Sequence, residues 1–237
     1  MKETIYTIPL SESLEQDSEC PFCYLENKLE SEQIDYCLGP AMMEPDHRIL
    51  SNTKGYCRRH MDQLAGAKRA LPFALVLDTR MDEVIQTLED ARGTKKTGKK
   101  AGLFAKKEPG ASCVAQAAAE LTATCLVCER MEHTMSKFFY TFWYLYGKEP
   151  DFRRKVLSGK GFCLHHFKEV LNASEKHAGS RREEFLEELT SLELENLKRN
   201  KQEVHGFVKQ FDYRSDKENW NGPKDAHLIC AGKLSKF

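Results

Sequence analysis

Eight side chains in this 237-residue chain stand at spacings that suit metal ligation. Cys20-Pro21-Phe22-Cys23 is followed by Gly55-Tyr56-Cys57-Arg58-Arg59-His60. Cys125-Leu126-Val127-Cys128 is followed by Gly161-Phe162-Cys163-Leu164-His165-His166. Cys23 to Cys57 is a step of 34 residues, and Cys128 to Cys163 is a step of 35. A two-residue spacer lets both members of a pair converge on one ion, and three thiolates with one imidazole make a closed, four-coordinate zinc site. The spacing predicts two zinc ions per chain. One is assigned to Cys20, Cys23, Cys57 and His60, the other to Cys125, Cys128, Cys163 and His166.

Three thiolates and a neutral imidazole around Zn²⁺ carry a net charge of minus one. Lys54, Arg58, Arg59 and Lys160 beside the ligands are placed to soften it. Gly55 and Gly161 allow the tight backbone that aims the next thiolate, and a helix start at each Cys-x-x-His favours an anionic sulfur. The competing readings are an iron–sulfur centre, a redox dithiol, or metal-free packing thiols. Covalent haem is disfavoured because neither Cys-x-x-Cys runs directly into histidine. In the second copy His165 or His166 could ligate, and the shared spacing selects His166. Cys37, Cys113 and Cys230 fall outside the pattern and are expected to be small packing residues. His47, His133, His177, His205 and His227 have no counterpart in the other copy.

The repetition reaches past the ligands. Glu44-Pro45-Asp46-His47-Arg48 matches Glu149-Pro150-Asp151-Phe152-Arg153 at an offset of 105, the offset of the first cysteine pairs. This points to an internally duplicated unit. The elements that must position the ligands read as helices throughout: Tyr24 to Leu38, Arg58 to Arg69 (closed or kinked by Pro72), Ala74 to Ala91, Ala111 to Thr124, Cys128 to Tyr146, Leu164 to Ser174 and Arg181 to Lys209. A turn and one short helix are expected in the tail. The fold class is therefore all-α: two pseudo-repeated helical units, each built around a zinc site, at residues 1–92 and 111–237. A basic, glycine-containing linker at 93–110 joins them. The aromatics from Phe138 to Tyr146 are expected to pack in a core, and the acids from Glu183 to Glu195 to form a solvated face.

Lysine plus arginine equal aspartate plus glutamate, 36 each, so no general attraction to nucleic acid or anionic membrane follows. The first twenty residues lack the apolar stretch of a signal peptide, and the apolar run at Phe138–Tyr146 is too short to span a bilayer. Nine cysteines without an export signal favour metal over disulfides and a cytoplasmic location. No Walker loop, dinucleotide fingerprint, HExxH or GxSxG elbow is present, and a saturated zinc leaves no position for an activated water. An enzyme is not expected.

The segments CPFCYL (Cys20 to Leu25), GYCRRH (Gly55 to His60), the second Cys-x-x-Cys and GFCLHH (Gly161 to His166) resemble a bacterial family known only as a domain of unknown function, frequent in anaerobic Firmicutes. Phe211-Asp212-Tyr213-Arg214, Trp220 and Lys224-Asp225-Ala226 resemble its closing segment. The resemblance spans nearly the whole chain and implies no activity. The resulting expectation is a two-zinc structural protein acting as an interaction or regulatory module, through an unidentified protein partner or self-association. The alternatives are a zinc-stabilised nucleic-acid-binding regulator, using the linker and Arg58-Arg59, and a thiol-based redox or metal sensor.

Overall fold

A computed structural model describes residues 5–93, 110–211 and 222–235. The basic linker falls almost entirely outside these residues, as do Asp212-Tyr213-Arg214 and Trp220 of the closing segment. Among the described residues the regular structure is helical, with no strand. The elements are α1 (Thr7–Ser13), α2 (Pro21–Cys37), α3 (Pro45–Lys54), α4 (Arg58–Gly66), α5 (Ala70–Gly93), α6 (Gly110–Ala123), α7 (Leu126–Lys148), α8 (Pro150–Leu157), α9 (Leu164–His177), α10 (Arg182–Lys209) and α11 (Ala226–Leu234). Short 3-10 turns precede α3 and α10. No described helix is long and apolar enough to cross a membrane.

Helix starts explain the recurring segments. Glu44 and Glu149 are extended N-cap residues, Pro45 and Pro150 open α3 and α8, and Asp46 and Asp151 sit in the first turns. Proline is suited to that position because its missing N–H would be unpaired there anyway, and an acid there meets the positive end of the helix dipole. Neither helix, nor α1, is among those expected from the sequence. Pro72 does not close α4; it stands in the first turn of α5, where a missing N–H is equally harmless. The segments α2–α3–α4 and α7–α8–α9 thus begin at matching sequence positions.

The chain divides into two compact units, but not into the halves expected. Unit 1 comprises Met1–Lys28 with Thr134–Phe237, unit 2 comprises Leu29–His133, and the boundaries fall inside α2 and α7. The expected division at 1–92, 93–110 and 111–237 followed composition, whereas these boundaries divide the two long helices along their length.

Unit 1 is built on aromatics. Phe138, Phe142, Trp143 and Tyr146 of α7 are buried with Phe22, Phe162 and Phe185. Trp143 Nε1 donates to the Val170 carbonyl at 3.0 Å, so its one polar atom is satisfied. Tyr140 and Tyr144 of the same run face solvent. On α10, Phe185, Leu189 and Leu192 form the buried stripe, continued by Glu193, Asn196 and Asn200. The acidic face is therefore not simply solvated. Glu193 is buried, and Glu188 accepts from Arg153 Nε and Tyr146 Oη, both at 2.9 Å. In unit 2, Ile34, Cys37 and Leu38 from the end of α2 pack with Leu64, Cys125, Val127 and Met131. Cys37 is buried as expected and Cys230 half-buried, while Cys113 is exposed on α6 and packs no core.

Candidate metal centres

The two Cys-x-x-Cys pairs stand at the starts of α2 and α7, and the two Cys-x-x-His pairs at the starts of α4 and α9. The within-copy pairing is corrected by a crossed one. Cys20, Cys23, Cys163 and His166 form the first centre, wholly in unit 1; Cys57, His60, Cys125 and Cys128 form the second, wholly in unit 2.

The donor atoms of each group lie within 4.8 Å of one another. In the first centre, His166 Nδ1 is 3.5 Å from Cys20 Sγ, 3.3 Å from Cys23 Sγ and 3.3 Å from Cys163 Sγ. In the second, His60 Nδ1 is 3.2 Å from Cys57 Sγ, 3.2 Å from Cys125 Sγ and 3.4 Å from Cys128 Sγ. Tetrahedral zinc with bonds of about 2.3 Å to sulfur and about 2.0–2.1 Å to nitrogen sets neighbouring sulfurs about 3.8 Å apart, and sulfur and nitrogen about 3.5 Å apart. The Cys57–Cys128 Sγ separation is 3.8 Å and the Cys23–Cys163 separation 3.5 Å. The donors fit such an ion. His166, not His165, faces the first centre.

Electrostatics within the groups point the same way. Hydrogen bonds with Cys20 and Cys23 draw the Cys163 thiol far below its usual range, and the bond to Cys163 pushes Cys23 far above it. Burial would discharge His166, but its bonds to Cys163, Cys20 and Glu26 outweigh that and raise it to about 11. In the second centre burial opposes ionisation of Cys125, yet the bonds from His60 and nearby backbone bring it down to about 6. Burial and the neighbouring Cys125 push Cys128 up to about 12. Thiolates this crowded cannot all ionise without a cation among them, which a bound metal would supply.

Five supporting residues escaped the sequence reading. With Nδ1 toward the sulfurs, each imidazole turns Nε2 to a buried carboxylate: His60 to Glu30 at 2.9 Å, His166 to Glu26 at 3.5 Å. Such partners fix the tautomer and the ring orientation of a ligating histidine. Both acids stand on α2, three and seven residues after Cys23, so a Cys-x-x-Cys-x-x-Glu-x-x-x-Glu pattern was visible as one helix face.

The other three hold backbone. Lys233 of α11 is buried and donates to the carbonyls of Glu19 at 2.7 Å, Phe162 at 3.1 Å and Lys160, drawing together the two segments that deliver Cys20 and Cys163. Glu193 accepts from the Phe162 N–H at 2.8 Å. Arg80 of α5 plays the corresponding part in unit 2, donating to the carbonyls of Asn52, of Thr53 at 3.3 Å and of Leu121 at 2.8 Å. The glycines fit against these groups. Gly161 (φ 75) would place a Cβ 2.6 Å from Glu193 Oε2, and Gly55 (φ 65) one 3.0 Å from Arg80 Nη2. No local pattern marks Lys233, Glu193 or Arg80, because each lies far along the chain from the ligands it serves.

Of the cations expected beside the ligands, one pairs away from the second centre and one pairs with the carboxylate that holds His60. Arg58 pairs with Asp62 at 2.8 Å, and Arg59 with Glu30 at 2.7 Å. A protein family described as "Family of unknown function (DUF6062)" matches residues 1–236. No curated protein and no solved structure matches the chain.

Proposed function

The chain belongs to that family of unknown function, and we propose that it binds two structural zinc ions and works as an interaction or regulatory module rather than as an enzyme. The observation carrying this reading is that each of two groups brings three sulfurs and one imidazole nitrogen within 4.8 Å. Four protein donors fill a tetrahedral sphere, so water activation would require loss of a ligand. The carboxylates and the buried cations described above are spent on holding donor geometry. We read the two ligand sets as products of an internal duplication whose halves exchanged partners. A reducing compartment, as the cytoplasm is, suits nine free cysteines.

Elemental analysis of protein purified without added metal tests this, with two zinc ions per chain expected. X-ray absorption should fit three sulfurs and one nitrogen per zinc and be unchanged by azide. Iron with acid-labile sulfide would overturn the metal assignment. An exchangeable oxygen ligand would overturn the closed-site reading and restore the enzyme.

The redox-sensor reading is favoured by one observation: Cys128 is exposed, whereas Cys20 and Cys163 of the first centre are buried. A peroxide would take two electrons from the Cys57 and Cys128 thiolates and two protons from solvent, joining the sulfurs in a disulfide and releasing zinc while its O–O bond breaks to give two waters, or an alcohol and a water. Stoichiometric loss of one zinc at mild peroxide, with a Cys57–Cys128 disulfide by mass spectrometry, would support it. Retention of both ions would dismiss it.

A further inference from the structure

The exposed side of α5 carries aliphatic side chains interspersed with acids. Leu71, Leu75, Met81 and Ile85 are 70%, 42%, 56% and 50% exposed, while Val76 and Arg80 are buried. At 3.6 residues per turn, the four apolar side chains fall within about 120° of arc, opposite Val76 and Arg80. From Leu71 to Ile85 the stripe runs about 21 Å, close to four turns. Isolated surface leucines are unremarkable, but an aligned set on one face marks a recognition surface.

Charge decides what fits there. Asp78, Asp82 and Glu89 share the arc with the apolar residues and are exposed. The helix carries five acids (Asp78, Asp82, Glu83, Glu89, Asp90) against Arg80 and Arg92, and Arg80 is buried on backbone carbonyls. The same face of a second copy would set like charge against like, and nucleic acid would be repelled. We propose that this face docks a cationic amphipathic helix of another protein, with aliphatic residues along one face over about four turns seated on Leu71, Leu75, Met81 and Ile85 and interspersed lysines or arginines on Asp78 and Asp82. This deepens the interaction-module reading and rests on it.

The probe is a fluorescein-labelled 18-residue peptide of leucine and lysine with its leucines on one helical face, compared with a shuffled peptide of identical composition. Fluorescence anisotropy against the zinc-loaded full chain should show the aligned peptide binding at least tenfold more tightly than the shuffled one, and more weakly as salt rises. The double variant Met81→Glu/Ile85→Glu should lose at least tenfold in affinity, and Asp78→Lys/Asp82→Lys likewise. Helicity and two zinc ions should be retained, since all four positions are exposed. Equal binding of aligned and shuffled peptides, or unchanged affinity in both double variants, would overturn the proposal. So would light scattering that finds a dimer abolished by Ile85→Glu, which would give the face to a second copy. Failure with both zinc ions in place sinks this inference alone, whereas absence of zinc sinks the reading beneath it.

Discussion

Lys233→Met removes a buried cation and leaves a side chain of similar length. Three carbonyls, those of Glu19, Lys160 and Phe162, lose their donor together, and buried Glu193 loses the charge that opposes its desolvation. Hydrogen bonds to charged groups contribute roughly 1.5–3 kcal/mol each, but bonds sharing one donor do not add. Breaking a buried charged pair from one side costs about 3–5 kcal/mol, which is the better guide here. For a domain this size that lowers the melting temperature by roughly 6–20 °C. Because the carbonyls belong to the segments delivering Cys20 and Cys163, zinc affinity at the first centre should fall about 10–100-fold, while the second centre keeps its own. Competitive chelator titration resolves the two ions, and the Cys57→Ser and Cys163→Ser variants identify which is which. Arg80→Met should give the mirror result, weakening Cys57, His60, Cys125 and Cys128 and sparing the other group. If Lys233→Met releases both ions in parallel, or neither more readily than the unmodified protein, the clamp reasoning is wrong.

Glu30→Gln should weaken the second centre about 10–100-fold, and Glu26→Gln the first by less, since the contact at 3.5 Å is longer than the one at 2.9 Å; single-site zinc affinities check both. Gly161→Ala should destabilise by well over the roughly 1–2 kcal/mol of a left-handed backbone, because its Cβ meets Glu193. Gly66→Ala, with nothing within 4 Å, should be neutral or mildly stabilising in a denaturant titration. Thiol alkylation of the zinc-loaded protein should label exposed Cys113 and Cys128 well before Cys20, Cys37 or Cys163, read by peptide mass mapping. Complete chelation should melt both units, since each loses the cross-link between its two ligand-bearing segments.

The eight candidate donors were legible because metal chemistry is local at the level of a pair. Cys-x-x-Cys and Cys-x-x-His each place two donors on one short turn, and no distant residue is needed to see it. Helicity was legible for the same reason: the apolar period of α5, α7 and α10 is written within each segment. Helices α3 and α8 were also within reach, since Glu-Pro-Asp at both is a helix start.

Which pair meets which was not legible, because the spacings of 34 and 35 residues are satisfied by either arrangement. That choice is made by long-range packing, which brings Cys163 and His166 to Cys20 and Cys23, and Cys125 and Cys128 to Cys57 and His60. The same holds for Arg80, Glu193 and Lys233. Nothing near Lys233 in the chain explains a buried ammonium; only packing of α11 brings it within 2.7 Å of the carbonyl before Cys20. Local sequence sets the donors and the helices that begin at them. Long-range packing decides their partners, because a contact between distant segments has no signature in either one alone.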